Sequence, residues 1–320
     1  MDSQLDAHYH LKTVRLIASD LDGTLLDASH SVSQSVLSAV RDLDSLASVP
    51  IYIATGRCRS SALAKFDAAG EDWSSRPGVF LNGAIAYGPK GKVIFEKKFE
   101  IEELEAILSE FSGDCHRAVV MPCSGDTIHA PQLSPISLHL HEVYADPRPI
   151  DHGSYCNMVT YIRKVNLGIH MISISTSDCR NTEEEVVARL HKVVRKFDNF
   201  EDYSIVSPIP RLVTVLPRNT SKGEAVLALC KSLSVEPKHV AAIGDSNNDI
   251  CMLKMVGFGV AVGNAKDVVK KNAKLVVNRH DHPELPGVAH LAQLVLQSRI
   301  NYCCYSTKEE FSLHEVILKI

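Results

Sequence analysis

Short apolar runs that stop abruptly at polar or glycine-containing clusters dominate this chain of 320 residues. Val14 to Ala18, Ile51 to Ala54, Val79 to Leu81, His239 to Ile243 and Phe258 to Val262 are rich in β-formers. They stop at Ser19-Asp20, Thr55-Gly56-Arg57, Asn82-Gly83, Gly244-Asp245 and Gly263-Asn264. Between them lie stretches with apolar residues at helical spacing, such as Val36, Leu37, Val40, Leu43 and Leu46. A short unbroken apolar run marks a strand buried on both faces. Strands alternating with helices predict a parallel sheet with helices on its faces. The expected core is therefore α/β and doubly wound.

The alternation breaks after Gly88. Residues 92–99 read as an edge strand and Glu102 to Phe111 as a helix. Short strands and loops are expected next, including Ile169 to Ser175. A helix from Glu183 to Phe197 follows, begun by a Thr182/Glu185 capping box. Strands near 203–206 and 212–216 end this stretch. From Ser221 the α/β alternation returns, with a closing helix from Val288 to Ile300. The simplest organisation is one discontinuous domain, 1–88 and 215–320, interrupted by an inserted α/β domain, 89–214.

Several classes are excluded before any motif is read. Hydrophobic residues are 45% and charged residues 22%, as in a globular chain with a core. Lys and Arg number 34 against 38 Asp and Glu, a formal charge of −4, so the basic face of a nucleic-acid binder is not expected. The nine cysteines include no Cys-x-x-Cys pair, which argues against a disulfide framework or zinc site and for a reducing, cytoplasmic setting. The N-terminus lacks a secretory plan, and no apolar run approaches the ~18–20 residues that span a bilayer. No membrane partner is expected, and the chain reads as a monomer or weak homo-oligomer.

Chemistry gathers at four places. Asp20 and Asp22 alternate on Asp20-Leu21-Asp22-Gly23-Thr24-Leu25 and point to one side of an extended chain. Two carboxylates held close either share a proton or hold a cation. Either state suits a nucleophile beside an acid and base; a solvated Asp-Gly turn is the plainer alternative. Thr55-Gly56-Arg57 can offer a hydroxyl and backbone N–H groups to a phosphate, or be a simple turn. Ser221-Lys222-Gly223-Glu224 places Lys222 in a first helical turn, where the dipole disfavours a cation. A bound anion would remove that conflict; a solvated lysine is the alternative. Gly244-Asp245-Ser246-Asn247-Asn248-Asp249 offers oxygen ligands for a hard ion, or an N-capped loop.

In this order the four segments resemble the motifs of the haloacid dehalogenase (HAD) superfamily of aspartate-nucleophile phosphotransferases. Asn82-Gly83-Ala84 and Gly263-Asn264-Ala265 resemble further signatures of its Cof-type phosphatases. The likeness spans about residues 14–290. It implies a Rossmann-like core carrying a C2B-type α/β cap, which would be 89–214, and it leaves 301–320 as an extension.

The resemblance also implies roles. Asp20 would attack phosphorus, and Asp22 would act as acid and then base. Mg²⁺ would be held by Asp20, the backbone carbonyl of Asp22, and Asp245, with Asp249 orienting that set. Thr55, Gly56, Lys222, Asn248 and the Leu21 backbone N–H would hold the phosphoryl group. The implied enzyme is a phosphatase of small phosphorylated metabolites, sugar phosphates foremost. A phosphomutase and a non-catalytic phosphate-binding regulator are the alternatives.

Weaker signals remain. His139-Leu140-His141 reads as alternating on a cap strand, where a zinc pair competes with exposed or hydrogen-bonded histidines. His280-Asp281-His282 is a similar loop cluster. Cys58 is either an oxidisable thiol near the site mouth or a buried inert one. The loop Asp146 to Met158 is a candidate for substrate specificity.

Overall fold

In chain order the first elements are β1 (Leu16–Ser19), α1 (Gln34–Asp42), β2 (Ile51–Ala54), α2 (Arg59–Asp67), β3 (Gly78–Phe80), β4 (Ile85–Tyr87) and β5 (Val93–Glu96). Next come α3 (Ile101–Ser112), β6 (Val119–Ser124), β7 (Thr127–Ala130), α4 (Pro135–Tyr144), β8 (Ile150–Asp151) and α5 (Tyr155–Lys164). They are followed by β9 (Met171–Ser175), α6 (Glu183–Val194), β10 (Ile205–Ile209), β11 (Leu212–Val215) and α7 (Lys222–Ser232). The last are β12 (Val240–Gly244), α8 (Ile250–Met255), β13 (Phe258–Ala261), α9 (Asp267–Lys271), β14 (Leu275–Val276) and α10 (Gly287–Thr307). The structure, a computed structural model, describes residues 10–112, 119–175, 182–197, 203–209 and 211–307. The greater part of the expected 301–320 extension lies outside the described residues.

The chain divides into two units, Met1–Ile51 with Val235–Ile320, and Tyr52–Ser234. The first holds a parallel sheet in which β1 pairs with β12, β12 with β13, and β13 with β14. All four residues of β1 and all five of β12 are buried, the pattern their unbroken apolar sequence predicts. Helix α1 starts at Ser33, whose side chain accepts the Val36 N–H, and buries Val36, Leu37 and Val40.

The second unit contains two strand systems. β2 and β3 are parallel, and β4 and β5 extend them antiparallel. A separate six-stranded sheet runs β10-β11-β9-β6-β7-β8. Its core includes Phe99, Leu104, Phe111, Val120, Met158, Ile172, Leu190 and Val213. Helix α6 begins with the expected capping box: the Glu185 N–H donates to Thr182 Oγ1 (3.3 Å) and the Thr182 N–H to Glu185 Oε2 (2.8 Å).

Some expectations are corrected. The stretch after Phe111 contains helices α4 and α5 as well as strands. His139 and His141 therefore lie on helix α4, not on a strand. Two residues apart on a helix point to different sides, so they form no ligand pair; His141 Nδ1 instead lies 2.6 Å from the Asp146 carbonyl. The Asp146–Met158 stretch includes the start of α5. Strand β3 ends at Phe80, because Leu81 and Asn82 take positive φ values of 52° and 54° and turn the chain.

Candidate active site

Strand pairing assembles the acidic residues. β1 and β12 run parallel with Ser19 opposite Ile243, and the Asp20 N–H donates to the Ile243 carbonyl (2.9 Å). Asp20 and Asp245 thus follow the carboxyl ends of neighbouring strands, where open α/β sheets bind ligands. Asp20, Asp245 and Asp249 each offer an oxygen atom, all within 4.8 Å of one another. Asp20 and Asp249 are buried. Among the described residues this is the only group of three or more His, Cys, Asp or Glu side chains spaced to hold a metal ion. Carboxylates gathered this way repel unless a proton or cation intervenes. The all-oxygen donor set fits a hard ion such as Mg²⁺.

Three asparagine and glycine features shape this corner. Gly23 has φ +74°, a conformation that favours glycine, and a Cβ there would meet Asp245 Oδ2 at 2.8 Å and displace that carboxylate. Asn264 donates its amide to the Gly23 carbonyl (2.8 Å) and accepts the His280 N–H (2.9 Å). Asn264, part of the Gly263-Asn264-Ala265 signature, thus braces the turn that follows Asp22. Asn248 is half-buried, with its carbonyl accepting the Cys251 thiol hydrogen (3.4 Å). The Leu21 side chain is fully buried, and its carbonyl accepts the N–H groups of Leu25 and Leu26.

Asp22 differs from the other acids. Its side chain is 38% exposed, lies outside the three-carboxylate group, and has Oδ1 3.3 Å from His30 Nδ1.

The second unit gathers the other candidates. Thr55 is buried, and its Oγ1 accepts the Arg57 N–H (3.2 Å). The Asn82 N–H donates to the Thr55 carbonyl (3.0 Å), and a Cβ on Gly56 would meet the Asn82 amide at 3.0 Å. A Cβ on Gly83, which has φ +96°, would fall 2.1 Å from the Ser221 carbonyl oxygen. Asn82-Gly83 therefore packs Thr55-Gly56 on one side and Ser221-Lys222 on the other. A glycine just past a strand end is the sequence sign of a positive φ or a close backbone approach. Lys222 is 1% exposed, which removes the solvated-lysine alternative. Ser221 caps α7 by accepting the Glu224 N–H (3.2 Å).

The remaining signals are structural. Cys58 is buried 3.9 Å from Cys123, and their hydrogen bond, then burial, pushes the Cys58 thiol well up, so it is a poor nucleophile. His280 Nδ1 lies 2.6 Å from the Leu26 carbonyl, and His282 Nδ1 accepts the Leu285 N–H (3.2 Å). Asp281 pairs with Arg279.

The family model for haloacid dehalogenase-like hydrolases matches residues 17–292, and the chain belongs to that family. It falls in the Cof-type branch and is a hydrolase of the phosphatase class. Phosphatase YwpJ of Bacillus subtilis is 27% identical over 296 residues, covering 88% of this chain and 100% of the relative. The 5-amino-6-(5-phospho-D-ribitylamino)uracil phosphatase YcsE of the same bacterium is 26% identical over 271 residues, covering 83% and 90%. A haloacid dehalogenase-like hydrolase structure from B. subtilis shares the fold, with a TM-score of 0.72 at 24% identity, covering 88% of this chain and 99% of that one. Among the described residues no helix is long and apolar enough to cross a membrane.

Proposed function

We propose that this chain is a Mg²⁺-dependent phosphatase of small phosphorylated metabolites, with sugar phosphates as the substrate class, acting through an aspartyl-phosphate on Asp20. The observation that carries this reading is the set of Asp20, Asp245 and Asp249 within 4.8 Å, beside an Asp22 side chain that stands outside it. Acids in different surroundings suit different roles.

Asp20 attacks phosphorus while Asp22 gives its proton to the leaving oxygen. Asp22 then takes a proton from the water that hydrolyses the aspartyl-phosphate, which frees inorganic phosphate and restores both side chains. A halide would leave without a proton and an alkoxide would not, so Asp22 favours phosphoryl transfer over dehalogenation. Asp20, the Asp22 backbone carbonyl and Asp245 would hold Mg²⁺, with Asp249 orienting them; the ion supplies charge against the phosphate oxygens. Thr55, Gly56, Lys222, Asn248 and the Leu21 N–H hold the transferring group, whose charge spreads over its oxygens. The family pattern supports these assignments.

The same reading takes 89–214 as the cap and 1–88 with 215–320 as the core. A cap of that size restricts the enzyme to small substrates, and the phosphorylated ribityl substrate in the name of YcsE supports that class. The enzyme works in the cytoplasm as a monomer or weak homo-oligomer, without nucleic-acid or membrane partners.

The test is phosphate release from a panel of phosphorylated metabolites. Wild type is expected to turn over sugar phosphates in Mg²⁺. Near-normal activity of Asp20→Asn would remove the nucleophile assignment, and full activity in chelator would remove the metal.

A further inference from the structure

The loop after the Asp20–Asp22 turn is built on one carboxylate. Asp27 Oδ1 accepts the Ser29 N–H (2.8 Å), the Ser29 hydroxyl (2.6 Å) and the Ser31 N–H (3.0 Å). The Asp27 N–H donates to the Ser31 carbonyl (2.9 Å), and the His30 N–H to the Asp27 carbonyl (3.0 Å). This closure holds His30 at φ +56°, a conformation that residues with a Cβ rarely adopt. From there Nδ1 reaches to 3.3 Å from Asp22 Oδ1. Strained backbone that persists under such local bonding is a pointer to function.

We propose that His30 is a positioning residue for Asp22, an inference that rests on the acid–base role given to Asp22 above. An ionised carboxylate only accepts hydrogen bonds, so Nδ1 carries the hydrogen and donates it to Oδ1. That bond fixes the rotation of the carboxyl group about its Cβ–Cγ bond. The other oxygen then presents the same lone pair, or the same proton, to the leaving oxygen and to the hydrolytic water. The Nδ1 hydrogen stays on His30 in both half-reactions, because Oδ1 accepts it whether or not the other oxygen is protonated.

Two variants separate the donor from the backbone. Glycine and asparagine both accept positive φ, and the asparagine Nδ2 sits close to where the histidine Nδ1 was. With p-nitrophenyl phosphate and Mg²⁺, His30→Gly is expected to lower kcat about tenfold, a fraction of the roughly 10²–10⁴ available to general acid–base catalysis. KM is expected to hold within about twofold, because substrate binding does not depend on Asp22 orientation. His30→Asn is expected to recover most of the loss. An unchanged kcat in His30→Gly, or no recovery in His30→Asn, overturns the proposal. Asp22→Asn measured in parallel distinguishes the two levels. If it is inactive while His30→Gly is unaffected, only the positioning role falls. If it is fully active, or if wild type releases no p-nitrophenol, the acid–base reading falls and the positioning role with it.

Discussion

The Asp249 carboxylate accepts the Asp245 backbone N–H at 3.0 Å and, with the same oxygen, the Ser246 N–H at 2.9 Å. Asp249 is fully buried and packs against Gly244, where a Cβ would fall 2.5 Å from its carboxyl carbon. One side chain therefore fixes the backbone that carries Asp245. The same side chain offers an oxygen within 4.8 Å of oxygens of Asp20 and Asp245.

This arrangement predicts a metal phenotype for Asp249→Asn. The amide oxygen can still accept the two N–H groups, so the fold is expected to persist. The lost negative charge weakens the ion site. Outer-shell changes of this kind cost about 10–100-fold in metal affinity or activity. The Mg²⁺ concentration for half-maximal phosphatase activity is expected to rise by about that factor, and magnesium titration of activity measures it. An unchanged midpoint would remove Asp249 from the metal assignment.

Gly83→Ala is expected to be severe. The new methyl group would land 2.1 Å from the Ser221 carbonyl oxygen, at a φ of +96°. Overpacking and backbone strain each cost about 1–3 kcal/mol, so a loss of at least about 2 kcal/mol should appear in urea unfolding. Gly70→Ala is the matched control: φ is +79°, but nothing lies within 4 Å of its Cβ. Equal losses in the two variants would assign the whole effect to φ and none to the approach of Ser221.

How much of this was legible follows from what each residue acts through. The strands that carry Asp20, Thr55 and Asp245 announce themselves, because a doubly buried strand needs an unbroken apolar run. The start of α6 was equally plain, since its capping box is local. Helix α4 was not. Ile136, Leu138 and Leu140 alternate as in a strand. Local capping overrides that pattern: the Ser137 N–H donates to Ser134 Oγ (3.3 Å), the Ser134 N–H to Ser137 Oγ (3.0 Å), and Pro135 supplies a preset first turn. The contacts made by Asn264 and His30 were illegible for another reason. Asn264 meets Gly23 across 241 positions of sequence, and His30 reaches Asp22 only through a positive φ.

Asn264 gives a prediction that separates its two bonds. Asn264→Asp keeps an acceptor for the His280 N–H but loses the donor to the Gly23 carbonyl. That carbonyl would then face a carboxylate. The unmade bond costs about 1–3 kcal/mol, and the loosened turn carries Asp22. Both stability and phosphatase activity are expected to fall, with Asn264→Ala losing at least as much stability. Full activity in Asn264→Asp would show that the turn holds without its brace.

His129, on β7, is buried with Nδ1 3.0 Å from His152 Nε2 and the two rings stacked. Burial, and then His152, pushes the His129 pKa down from 6.5 to about 4. Burial lowers His152 as well. Two neutral imidazoles satisfy each other, one donating and one accepting; two protonated ones would both donate. The folded pKa lies below the unfolded value of about 6.5, so between those values the unfolded chain binds more protons. Stability is therefore lost as pH falls from about 6.5 to about 4, and is fully present above that window. His129→Gln cannot take up the proton. Urea unfolding at pH 7 and pH 4.5 should show wild type losing more stability between the two than the variant does. Equal losses would mean that His129 carries none of the acid sensitivity.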